Sequence, residues 1–154
     1  MRLRVIAVGT RMPAWVSAGV HDYVRRLPRE LGFAVDEVKP AVHRGDVGLV
    51  LADEGQRVLH RAGPATRLVV LDERGASWTT LDLARQLTRW QQDAEDVALL
   101  VGGADGHAPA VHAAAQSVWS LSALTLPHAL VRVLVVEQIY RASSLLRGHP
   151  YHRA

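Results

Sequence analysis

The sequence predicts an α/β fold, a mostly parallel sheet with helices on both faces, on three observations. Short β-rich apolar runs alternate with helix-length segments along the chain. Most of the runs are continuously apolar, as strands buried on both faces are, and so argue for parallel pairing. No repeat, linker or low-complexity tract interrupts the alternation, so the 154 residues are expected to form a single domain, 1–154, with one real core. A hydrophobic share of 49% against 21% charged residues argues against disorder.

The elements follow in order. Leu3 to Gly9 reads as a strand, and Thr10 with Pro13 opens a helix carrying Trp15, Val16 and Tyr23 and running to Leu27. Phe33 to Val38 alternates apolar and charged side chains as a half-exposed strand does. A helix is expected from about Asp46 to Arg61, stopped by Gly63-Pro64. Arg67 to Asp72 is a buried strand, followed by a turn at Glu73-Arg74-Gly75. Thr79 to Asp82 resembles a capping box and starts a helix with Leu83, Leu87 and Trp90 on one face. Val97 to Val101 is a fully apolar strand, and Pro109 to Gln116 is helix-like. Trp119 to Ala123 suits a fifth strand. The helix from about Ala129 to Leu146 is apolar on nearly all its faces, which requires burial on more than one side and points to a symmetric partner.

Composition removes several function classes. Without cysteine there is no disulfide framework, thiolate metal site or cysteine nucleophile, which fits a cytoplasmic location. The apolar start breaks at Gly9, too early for a signal peptide, and no run reaches the roughly 20 apolar residues of a membrane span, so the protein is expected to be soluble and unprocessed. The net charge is +3, carried almost wholly by arginine. That bias suits RNA phosphates, and equally a general preference for arginine codons. Gly102-Gly-Ala-Asp-Gly106 follows a strand and sits where open α/β sheets bind ligands, or it is a plain turn. It is neither a dinucleotide fingerprint nor a phosphate loop.

The last quarter concentrates the chemistry. Small and apolar side chains from Ser122 to Pro127 leave backbone groups free for a flat heterocycle, unless the loop merely covers the core. His128 and the tail His149-Pro-Tyr-His-Arg153 supply hydrogen-bonding rings, a phenol and a guanidinium. A metal site on His128, His149 and His152 lacks acidic neighbours and is not expected. His21, His43, His60, His107 and His112 read as surface or helix residues, and Glu137 with Arg141 as a solvated i, i+4 pair.

Ala7-Val-Gly-Thr10, Met12-Pro-x-Trp15, Tyr23-x-Arg-Arg26, Val70-Leu-Asp72, Gly102-Gly103, Trp119-Ser-Leu-Ser-Ala-Leu-Thr-Leu-Pro-His128, Leu130-Val-Arg-Val133, Glu137, Tyr140-Arg-Ala142 and His149-Pro-Tyr-His-Arg153 together resemble the ribosomal large-subunit methyltransferase H family of the SPOUT class. The resemblance runs through nearly the whole chain. It implies a SPOUT-type fold with a C-terminal trefoil knot, an exception to unknotted topology. It also implies a homodimer that uses S-adenosylmethionine to methylate N3 of a pseudouridine in the decoding-centre stem-loop of 23S rRNA, on the assembled ribosome. Carried over by position, the cofactor would lie against Leu71, Gly102, Gly103 and the loop Ser122, Ala123, Leu124, Thr125, Leu126 and Pro127. His128, Tyr151, His152 and Arg153 would serve catalysis, with the tail reaching the partner's site. Ala104 and Asp105 depart from the family's Gly-Gly-Pro-Glu-Gly. A non-catalytic ribosome-binding or RNA-binding factor of the same fold is the alternative.

Overall fold

The computed structural model describes residues 1–152, His152 by its backbone alone. Five strands, β1 (Leu3–Val8), β2 (Ala34–Val38), β3 (Thr66–Ser77), β4 (Asp96–Val101) and β5 (Ser117–Ser120), form one all-parallel sheet in the order β2-β1-β4-β3-β5. Five helices connect and follow them: α1 (Ala14–Val24), α2 (Val47–Ala62), α3 (Thr80–Gln92), α4 (Pro109–Ala114) and α5 (His128–Leu146).

The continuous apolar runs are explained by the pleat, which sends successive side chains to opposite faces. Leu3, Val5 and Ala7 of β1 and Val97, Leu99 and Val101 of β4 join a core with Leu83, Leu87 and Trp90 of α3 and Val135, Ile139 and Ala142 of α5. The alternate residues Ile6, Val8, Ala98 and Leu100 join a second core with Val58 and Ala62 of α2 and Val111 of α4. Both faces are therefore covered, as predicted.

Local signals set most boundaries. The Asp46 carboxylate accepts from the Leu49 amide at 3.0 Å to cap α2, and the chain leaves that helix at Gly63 with φ +76°. Thr79 and Asp82 complete a reciprocal capping box at α3. Three expectations need correction. Helix α1 ends at Val24, not Leu27, because Pro28 disfavours helical geometry at the residue before it; a 3-10 turn then buries Leu31. The expected turn at Glu73-Arg74-Gly75 lies inside β3, which regains its pairing to β5 at Ala76 and Ser77. And β5 starts at Ser117 and ends at Ser120, where β3 itself runs out of partners.

Helix α5 leaves β5 at one edge of the sheet and crosses to pack on α1 and α3. Gly19 of α1 faces Val133 of α5 across that contact. Among the described residues, no helix is long and apolar enough to cross a membrane.

Candidate functional site

The carboxyl ends of β3, β4 and β5 open into a cavity of about 410 Å³. Its first wall is the bulge of β3. Leu71 and Ala76 both pair with Trp119, so residues 72–75 loop out of the ladder. Only glycine fits at the return, because a Cβ on Gly75 would lie 2.6 Å from the Val118 carbonyl. The bulge presents Asp72, Glu73 and Arg74 to the cavity. Arg74 donates to Asp72 through its backbone at 2.9 Å, Nε at 3.1 Å and Nη2 at 2.9 Å. These bonds hold the Asp72 carboxyl down at about 2.

The second wall is the turn after β4. Gly106 donates to the Gly103 carbonyl at 3.1 Å, and a Cβ on Gly102 would come within 2.7 Å of the Gly106 oxygen. The glycines thus form a closed, narrow turn whose backbone edges the cavity. His107 follows: its Nε2 lies 3.0 Å from the Leu100 carbonyl, and burial keeps its pKa below the usual histidine value. The His112 ring stands edge-on to it, centroids 6.0 Å apart, with Nε2 3.4 Å from Asp72. Both histidines were expected to be surface or helix residues; His112 does lie on α4, beside Asp72, while His107 sits on the loop after β4 at the cavity wall.

The third wall is the loop from β5 to α5. Ser120 Oγ donates to the Ser122 carbonyl at 2.8 Å, and Ser122 Oγ accepts from the Leu124 amide at 3.0 Å, so the loop is braced by its own hydroxyls. Thr125 donates to Glu73 at 2.7 Å across the cavity mouth. Among the described residues, the amides of Thr125 and Leu126 have no protein acceptor. The buried Trp119 indole Nε1, at the cavity wall, also has none. Leu71, Gly102, Gly103, Ser122, Leu124, Thr125, Leu126 and His128 all line the cavity; Ala123 and Pro127 belong to the same loop but do not line it.

The tail is elsewhere. Tyr151 packs on Tyr140, ring centroids 4.5 Å apart, and its hydroxyl lies 3.3 Å from both Tyr23 and Glu137. Tyr140 is 12 residues beyond His128 on α5, about 18 Å along the axis at 1.5 Å per residue. Burial and those neighbours push the phenol above its ordinary pKa, so it is held protonated here. Glu137 and Arg141 are not merely a solvated pair: both are half-buried, and the Arg141 guanidinium lies 5.1 Å from the Tyr151 ring centre. The side chain of His152 and all of Arg153 lie outside the described residues.

One residue escaped sequence reading although its signal was visible. Arg132 interrupts an apolar helix and is buried, donating to Glu37 at 2.7 Å and to the Val8 and Gly9 carbonyls at 3.1 and 2.8 Å. It ties the start of α5 to the ends of β1 and β2. No group of three or more His, Asp or Glu suited to a metal occurs among the described residues.

The family model described as "predicted SPOUT methyltransferase" matches residues 1–152. Among solved structures, the chain is similar to one described as a probable methyltransferase from Bordetella pertussis Tohama I, at 19% identity and TM-score 0.58, covering 92% of this chain and 96% of that one. A methylase family protein from Neisseria gonorrhoeae is similar at 16% identity and TM-score 0.55, over 90% and 81%. A more distant likeness, at 11% identity and TM-score 0.49 over 92% and 66%, is to the Legionella pneumophila methyltransferase Lpg2936 in complex with S-adenosylmethionine.

Proposed function

The chain belongs to the SPOUT methyltransferase family, and from that premise we propose that it binds S-adenosylmethionine in the cavity at the ends of β3, β4 and β5. The carrying observation is the braced loop from Ser120 to Pro127, whose unpartnered amides at Thr125 and Leu126 edge that cavity. The residues fit such a ligand. Free backbone donors and a glycine turn suit adenine and ribose. Bound there, the cofactor supplies an electrophilic methyl on a sulfonium.

The substrate we propose is N3 of a pseudouridine in the decoding-centre stem-loop of 23S rRNA on the assembled ribosome. The support is the resemblance carried by Trp119 to His128 and His149 to Arg153. With the cofactor bound, methyl transfer to the imide nitrogen would leave a neutral thioether behind and require an acceptor for the N3 proton. The protein's part is alignment, which alone can supply several kcal/mol. His128, half-buried on the cavity wall at the first turn of α5, is one acceptor for that proton in this reading, beside His152, Tyr151 or bulk water; its position supports it. Tyr151, His152 and Arg153 would act on the partner's site, since Tyr151 lies far along α5 from its own cavity. The same proposal includes a cytoplasmic homodimer, the single domain and a C-terminal trefoil knot. The return of α5 across the sheet supports the last of these.

Incubation with radiolabelled S-adenosylmethionine and bacterial ribosomes, unmodified or pseudouridine-containing, tests this. Label on one large-subunit nucleotide only in the pseudouridine-containing ribosomes is the expected result. Cofactor binding with no transfer to either ribosome would favour the non-catalytic factor.

A further inference from the structure

His107 is a ring acceptor at the cavity that the resemblance does not assign to the cofactor. The Leu100 carbonyl can only accept, so the 3.0 Å contact fixes the proton on His107 Nε2. In the neutral ring, Nδ1 then carries a lone pair on the other side. No group among the described residues bonds Nδ1, yet the ring lines the cavity. The ladder from β3 to β4 ends at Val70 and Leu100, so the carbonyl that His107 meets is at the end of that ladder.

We propose that His107 is a cofactor-binding residue whose Nδ1 accepts a hydrogen bond from the nucleoside half of S-adenosylmethionine, either its adenine amine or a ribose hydroxyl. This rests on the cofactor reading above. The nucleoside half is indicated because His107 is anchored to the sheet, while the reacting methyl must face the side open to RNA. The preference for the neutral ring also agrees with the cationic sulfonium, which an imidazolium would repel. The groups that bear on the ring are His112 from α4 and Asp72 of β3, itself paired with Arg74; Asp105 stands on the same loop, and the Glu54 carboxylate of α2 lies beside Gly103.

Calorimetric titration of the full chain with S-adenosylmethionine from pH 5 to 8 reads the proposal. The wild-type Kd should weaken toward the acid end of that range, by up to about tenfold per unit once the ring protonates. His107→Leu should bind about tenfold more weakly at pH 7.5, with that acid dependence gone. His107→Gln keeps an N–H for Leu100 and an oxygen acceptor, so it should recover most affinity with no acid-side loss. His112→Gln should keep the wild-type slope. S-adenosylhomocysteine analogues lacking the amine, or one ribose hydroxyl, identify the donor: the relevant analogue loses affinity in wild type but nothing further in His107→Leu. A folded His107→Leu with wild-type Kd and pH profile would overturn the proposal alone, and if that variant unfolds, a wild-type acid slope in His107→Gln would do the same. Failure of the wild-type chain to bind the cofactor at any pH would overturn the cofactor reading with it.

Discussion

Asp72 is held as a carboxylate by three bonds from Arg74 and by His112 nearby, which lowers its pKa from 3.8 to about 2. A group whose folded pKa is depressed contributes stability above its unfolded value and loses it as pH falls through the folded one. The wild-type urea midpoint should therefore fall more steeply between pH 4 and 2 than that of Asp72→Asn, and the two should run in parallel above pH 5. Parallel profiles throughout would mean that the bulge does not depend on this charge. Residue identity at the site was only partly legible from sequence. That Gly102, Gly103, Ser122 and Leu124 to Leu126 share one cavity was legible because their type and order are distinctive. His107 and Asp72 owe their places on the cavity wall to a contact with the Leu100 carbonyl and to a bulge, neither of which has a period in the sequence.

At the scale of elements, the alternation of apolar runs and caps located all five strands and five helices, since pleat, capping box and glycine stops act over a few residues. Besides the shifted ends of α1 and β5, β3 was misread within its length: Glu73-Arg74-Gly75 has turn composition yet lies within a strand. A bulge and a turn use the same residues, and only the partner strand decides between them. Gly75 is the point on which the bulge closes, its missing Cβ leaving room for the Val118 carbonyl at 2.6 Å. Gly75→Ala should therefore push β3 from β5, lowering stability by about 1–3 kcal/mol as overpacking does. Because Leu71 and Glu73 belong to the same wall, cofactor affinity should fall in step. A urea midpoint and Kd both unchanged would show that the strands can separate there at no cost.

For the whole molecule, the apolar circumference of α5 exceeds what one chain buries. Val135, Val136 and Ile139 are covered by the sheet and its neighbours, while Val133 and Leu134 stay half-exposed and Trp15 of α1 is 59% exposed. Trp15 and Val133 belong to the packed pair α1 and α5, the pair that also holds Tyr151 through Tyr23 and Glu137. A second copy docked on this face would cover the apolar surface and bring each tail toward the other's cavity, which the distance along α5 denies within one chain. Sequence could announce the surplus of apolar surface but not its mate, because burial against a partner and burial in a core leave the same pattern. Two defective chains test the arrangement. Truncation after Gly148 removes the tail, and Thr125→Trp fills the cavity mouth from an exposed position, so each alone should fail to methylate. If every site combines one chain's cavity with the other's tail, random mixing gives half mixed dimers, each with one intact site. Activity should then return to about a quarter of wild type. If cavity and tail of one chain serve the same site, every site in the mixture lacks one part, and no activity should return.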